Sequence, residues 1–233
     1  MSKNLTTIGF DADDTLWHNE RFFKLTQDRF AELLADYAPA DHLDERLLAA
    51  EKRNLGHYGF GIKGFMLSMI ETAIEVTGQR VPATVIAEIM DAGRDMLAHP
   101  IELLPHAREA VEAVAASHRV VLITKGDLMD QERKLAQSGL GELFDAVEIV
   151  SGKDRAVYHQ IFERHGDGTD KAMMVGNSMR SDIVPAIEAG CWAVHVPHDL
   201  VWALEHAEPP EAGDRFVEME TLEGLAHLVR EIG

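Results

Sequence analysis

Five short apolar runs, with helix-like segments between the later ones, restrict the fold of this 233-residue chain more than any other feature. They are "TTIGF" (6–10), "RVVLIT" (119–124), "AVEIVS" (146–151), "AMMVG" (172–176) and "WAVHV" (192–196). Most are rich in Val, Ile or Met with little polar alternation, the pattern of parallel strands buried on both faces. Between the later runs lie "DLMDQERKLAQSG", "DRAVYHQIFERHG" and "SDIVPAIEAG", each with helical spacing and a glycine at or near its end as a C-cap. Strand, helix and strand at this spacing predict an α/β protein with a doubly wound parallel sheet.

One interval breaks the alternation. From residue 17 to 97 the patterns are helical, as in "NERFFKLTQDRFAELLADY" and "IKGFMLSMIETAIEVTG", and no convincing strand appears. The expected organisation is therefore a discontinuous core of residues 1–16 and 98–233, with a helical domain of residues 17–97 inserted after the first strand. "HPIELLPHA", with two prolines, reads as the return linker.

Composition narrows the function. The chain carries 22 Lys+Arg against 40 Asp+Glu, a formal net charge of −18, and no basic patch. That excess repels nucleic acid and anionic membranes, so neither is expected as a partner. A single cysteine, Cys191, rules out an intramolecular disulfide. The opening "MSKNLTT" has no apolar leader run, and no stretch reaches the ~18 apolar residues of a membrane span. A cytoplasmic protein is expected.

Directly after the first strand stand Asp11, Asp13 and Asp14. Like charges this close resist burial unless something offsets them. Ligands of open α/β sheets bind beyond the carboxyl ends of the strands, so residues at those ends should converge. They are Asp11 and Asp13 after the first strand, Thr124, Lys125 and Gly126 after the second, Ser151 to Lys153 after the third, and Gly176 to Asp182 after the fourth.

These four strand ends resemble the four motifs of the haloacid dehalogenase superfamily. "DADDT" (11–15) is similar to its aspartate-x-aspartate motif, Thr124 in "VVLITKGD" to its strand-ending hydroxyl, Lys153 in "VSGKD" to its lysine, and "VGNSMRSD" (175–182) to its acidic motif. The chain departs from the pattern at Asn177, where an acidic residue is usual, and at Asp14, where many relatives have glycine. The resemblance implies a Rossmann-like core and a type-one helical cap. It also implies a Mg²⁺-dependent phosphatase acting on a small phosphate monoester through an aspartyl-phosphate. Asp11 is then the nucleophile and Asp13 the acid and base, which requires surroundings that raise its proton affinity. Thr124, Lys125 and Lys153 hold the phosphoryl oxygens. Asp11, the Asp13 carbonyl, Asp182 and Asn177 hold the metal, a hard cation suited to oxygen donors.

Other readings of the same residues are less economical. Dehalogenation of a 2-halo acid uses the first aspartate without a metal, but family dehalogenases lack the second, present here as Asp13. A phosphomutase or a catalytically silent binding protein would also share the fold, and no motif residue is missing. In the insert, the glycine-rich "NLGHYGFGIKGF" (54–65) reads either as a flexible connection or as a specificity loop using His57, Tyr58 and Lys63. "HVPH" (195–198) reads as a surface loop.

Overall fold

The computed structural model describes residues 5–210, 213 and 215–233. Six parallel strands form one sheet: β1 (Thr7–Phe10), β2 (Arg119–Lys125), β3 (Ala146–Val150), β4 (Ala172–Gly176), β5 (Trp192–His195) and β6 (Phe216–Glu218). Their order is β3-β2-β1-β4-β5-β6, which places the first strand in the middle. The predicted α/β class and its five strands are all present, and β6 is an addition. It has only three residues and pairs at the sheet edge with β5, too short for any periodic signal.

Alternation along each strand explains the two-sided core. On β2, Val120 and Leu122 join one apolar cluster with Ile8, Phe10, Val111 and Val229, whereas Val121 and Ile123 join another with Tyr158, Phe162 and Ile183. Successive side chains point to opposite faces, so a continuous apolar run signals a strand covered on both. The first face carries helices α5 (Ala107–Ala115) and α9 (Leu225–Ile232), and the second carries α7 (Arg155–His165) and α8 (Val184–Ala189). Helix α6 (Leu128–Ser138) follows β2. Of the predicted glycine caps, Gly139 and Gly190 are left-handed, at φ 68° and 95°. Gly166 is extended, at φ −137°, and a Cβ there would meet the Thr7 hydroxyl at 2.7 Å.

The chain divides into two compact units. The sheet unit comprises Met1–Glu20, Ile101–Lys125 and Gln131–Gly233; the helical unit comprises Arg21–Pro100 and Gly126–Asp130. The helical unit is built from α1 (Glu20–Leu33), α2 (Ala40–Tyr58), α3 (Ile62–Val76) and α4 (Ala83–Ala98) around Phe30, Leu34, Leu47, Phe65, Met69 and Ile89. Helices α3 and α4 approach closely at Gly93, where a Cβ would meet the Met66 sulfur at 2.7 Å. Among the described residues, no helix is long and apolar enough to cross a membrane.

Candidate active site at the carboxyl ends of the strands

Asp11 follows β1 directly, and its N–H donates to Val175 O at 2.9 Å, tying it to the neighbouring strand β4. Past it the chain turns tightly: Leu16 N–H donates to Ala12 O at 2.8 Å and Asp14 N–H to Trp17 O at 2.7 Å. The turn needs a left-handed residue, and Asp14 supplies it at φ 62°. Aspartate tolerates that conformation better than most residues because its short side chain bonds locally. Its carboxylate accepts from the N–H groups of Asn19 (2.8 Å) and Glu20 (2.9 Å), capping the start of α1. Burial, partly offset by His198, pushes its pKa up to about 6.

Asp182 comes from the opposite side of the sheet centre, in the wide turn Met179–Ile183 after β4. Such i→i+5 turns frequently occur at functional sites. Gly176 must be glycine, because a Cβ there would collide with the Asp182 carboxylate. Lys153, from the β3–α7 loop, bridges the two carboxylates. Its Nζ donates to Asp182 Oδ1 at 2.7 Å and to Asp11 Oδ1. All three side chains are essentially buried.

Two buried carboxylates against one ammonium leave an excess negative charge. Burial, followed by the charge of Asp182, pushes the Asp11 pKa up to about 7 despite Lys153. Lys153 is itself held well above its usual range, because the two carboxylates outweigh its own burial. A divalent cation beside these two carboxylates would favour their ionised forms.

The donor set suits such a cation. Hydrogen bonding turns the Asn177 amide nitrogen toward three oxygens: Asp11 Oδ2 (3.2 Å), Thr15 Oγ1 (3.1 Å) and the Asp13 carbonyl (3.1 Å). Thr15 in turn donates to Asp11 Oδ2 at 3.0 Å and accepts from Asn177 N–H at 3.0 Å. Hard oxygens thus converge on a positively polarised group. Among the described residues, no three His, Cys, Asp or Glu side chains cluster as a metal site, so a cation here would also need carbonyl, amide or water oxygens.

Asp13 reverses the expected direction. Trp17 Nε1 (2.7 Å), Gln131 Nε2 (2.8 Å) and Lys134 Nζ (3.0 Å) all donate to its carboxylate. Burial alone would raise its proton affinity, but the charge of Lys134 and these hydrogen bonds outweigh it and lower the pKa. The carboxylate is therefore held below its usual range, whereas the acid role implied by the resemblance requires a raised proton affinity. Gln131 and Lys134, three residues apart on one face of α6, could not be separated by sequence from an ordinary solvated helix face.

Thr124 is buried at the end of β2. Lys125 follows, but its ammonium is already committed to Ser181 Oγ at 2.7 Å and to Glu205. Glu205, in the short turn Ala203–Glu205, lies in a segment from which sequence gave no site residue. His195, expected in a surface loop, is the last residue of β5; its Nε2 lies 3.0 Å from Asn177 O and its Nδ1 3.0 Å from Glu218. His57, Tyr58 and Lys63 belong to the helical unit and are all exposed. There Lys63 Nζ bonds both carboxylate oxygens of Asp127 at 2.9 Å, and His57 lies beside Tyr58.

A doubly wound sheet with a carboxylate–lysine–carboxylate bridge at its centre defines a class of hydrolases. Residues 5–190 match the haloacid dehalogenase-like hydrolase family, and the chain belongs to it. A crystal structure of a haloacid dehalogenase-like family hydrolase from Xanthomonas campestris is 40% identical, with a TM-score of 0.86 over 98% of this chain and 91% of that one. Among characterised relatives, a pyrimidine 5'-nucleotidase of Escherichia coli is 26% identical over 79% of this chain and 84% of its own length. A glyceraldehyde 3-phosphate phosphatase of Methanothermobacter thermautotrophicus is 24% identical over 88% of this chain and 91% of its own length.

Proposed function

We propose that the chain is a Mg²⁺-dependent phosphatase that hydrolyses a small phosphate monoester through an aspartyl-phosphate on Asp11. The observation that carries this reading is the Asp11–Lys153–Asp182 bridge: a carboxylate aimed from the strand end, with a buried ammonium beside it and surplus negative charge around it. The two characterised relatives, both named for phosphate-ester substrates, support the same reaction class.

Asp11 Oδ2, Asp182, the Asp13 carbonyl and Asn177 would hold the cation; for Asn177 to offer its oxygen, its amide must turn over. Bound there, Mg²⁺ would neutralise the carboxylates and draw in the anionic phosphoryl group. Asp11 attacks phosphorus in line, and the P–O bond to the leaving alkoxide breaks. Lys153 and the Thr124 hydroxyl stabilise charge on the transferring oxygens. Asp13, whose donors favour its carboxylate form, suits the second half of the reaction, where a base takes the proton of the water attacking the aspartyl-phosphate. Its acid role in the first half needs a proton, and Asp13 gains one only by giving up donors such as Lys134. Lys125, committed to Glu205 and Ser181, acts by holding the loop rather than by touching phosphate. The helical unit is the cap, and His57, Tyr58 and Lys63 are its candidates for substrate choice.

Phosphate release from p-nitrophenyl phosphate tests the reading. Turnover with Mg²⁺ that is abolished by EDTA, and reduced by at least roughly a thousandfold in Asp11→Asn, is expected for loss of a nucleophile. Turnover surviving in Asp11→Asn overturns the mechanism.

A further inference from the structure

The polar contacts behind Asp182 join residues of the second and fourth motifs to a carboxylate that lies outside all four. That carboxylate is Glu205. One carboxylate oxygen accepts from Ser178 Oγ at 2.5 Å and from Ser181 Oγ at 2.6 Å, and the other pairs with Lys125. Lys125 Nζ also donates to Ser181 Oγ at 2.7 Å.

The protons in this network have one consistent arrangement. Each serine has one hydroxyl proton, and both are given to Glu205. Their lone pairs are then free to accept, Ser181 from Lys125 and Ser178 from the Ser181 N–H at 2.9 Å. The same turn carries Asp182: Ser178 N–H donates to Asp182 Oδ2 at 2.9 Å, and Asp182 N–H donates back to Ser178 O at 2.8 Å. A further clamp joins the segments, since Arg180 donates to Leu204 O at 3.2 Å. Burying a carboxylate and an ammonium against a loop is costly unless they are fully hydrogen-bonded. Here the pair secures the turn that aims one specific carboxylate.

We infer that Glu205 is a positioning residue for the cation site: through Ser178, Ser181 and Lys125 it fixes the turn that presents Asp182. The inference rests on the cation reading above. Residues that orient metal ligands typically contribute on the order of 10- to 100-fold in metal affinity. The effect should therefore appear in cation binding more than in substrate KM.

Isothermal titration of the full chain with MgCl₂ tests this without turnover, using Glu205→Ala, Glu205→Gln, Lys125→Met and the Glu205→Gln/Lys125→Met pair. Glu205→Gln keeps the shape, and the double variant removes both charges together, so at least one variant should keep a wild-type melting temperature in EDTA. The expected result is Mg²⁺ binding weakened by roughly tenfold or more in Glu205→Ala and Lys125→Met, with the double variant no weaker than either single change. Unchanged Mg²⁺ affinity in folded Glu205 variants, beside a wild type that binds, overturns this inference and leaves the phosphatase reading standing. A wild type that binds no Mg²⁺ overturns the cation reading and this inference with it.

Discussion

The end of β1 and the glycine-rich stretch of the helical unit both carry polar side chains but differ in how those side chains are held. Asp11, Asp13 and Asp182 each have two or more donors, most of them buried. His57, Tyr58 and Lys63 are exposed, and Lys63 has one carboxylate partner at the surface. Buried charges hold their positions because any lost partner leaves an unsatisfied group in a poor solvent; exposed ones are replaced by water at little cost. The first region is fixed by its buried partners, and the second presents its side chains to water from the end of α2 and the start of α3.

Lys153→Met should break that contrast most sharply. It leaves Asp11 and Asp182 buried with no counter-ion, and loss of one partner of a buried pair costs about 3–5 kcal/mol. Urea unfolding in EDTA at neutral pH should show it, and Mg²⁺ should recover part of the loss by replacing the missing charge. A variant as stable as wild type in EDTA would mean that the bridge is not a buried charge pair.

Lys134→Met comes next, at about 2 kcal/mol near neutral pH, because Asp13 is less buried than Asp11. The sign of its pH dependence follows from the lowered Asp13 pKa. A carboxylate whose folded pKa is depressed adds stability above its ordinary value of about 4, and that stability is lost as pH falls through the folded value. The gap between wild type and variant should therefore narrow below about pH 4. A gap independent of pH would assign Lys134 a packing role instead.

The smallest effect belongs to Lys63→Met. Half-exposed ion pairs contribute about 0–1 kcal/mol, so the melting temperature should barely move. If Lys63 meets substrate, KM should shift with the identity of the leaving group while kcat on p-nitrophenyl phosphate stays nearly constant. A uniform change across leaving groups would remove it from substrate choice.

Sequence revealed the parts of this protein whose physics is local. β2 and β4 were legible because both faces of each are buried, which leaves a continuous apolar run. β6 was not, since three edge residues, two half-buried and one exposed, carry no period. The motif residues at the strand ends could be placed by their order along the chain. What surrounds them could not: Lys134 and Gln131 lie on α6, more than a hundred residues beyond Asp13, and Glu205 lies beyond β5 in a stretch with no pattern. The direction of the Asp13 shift depends largely on those distant donors, about which the acid role implied by the resemblance carries no information. Asp14, at a position where many relatives have glycine, takes the left-handed conformation itself and caps the start of α1.

The central place of β1 has a consequence for how the chain comes together in time. Its partners are β2 and β4, and roughly a hundred residues must be synthesised before the nearer one exists. During that delay the helices of the inserted unit, with their own apolar centre and mostly local contacts, can form first, as low contact order favours. An unpaired apolar strand is open to association, and charges directly beside it, as Asp11, Asp13 and Asp14 are here, oppose that. The charges that crowd the finished sheet are thus of the kind that discourages a lone strand from finding the wrong partner.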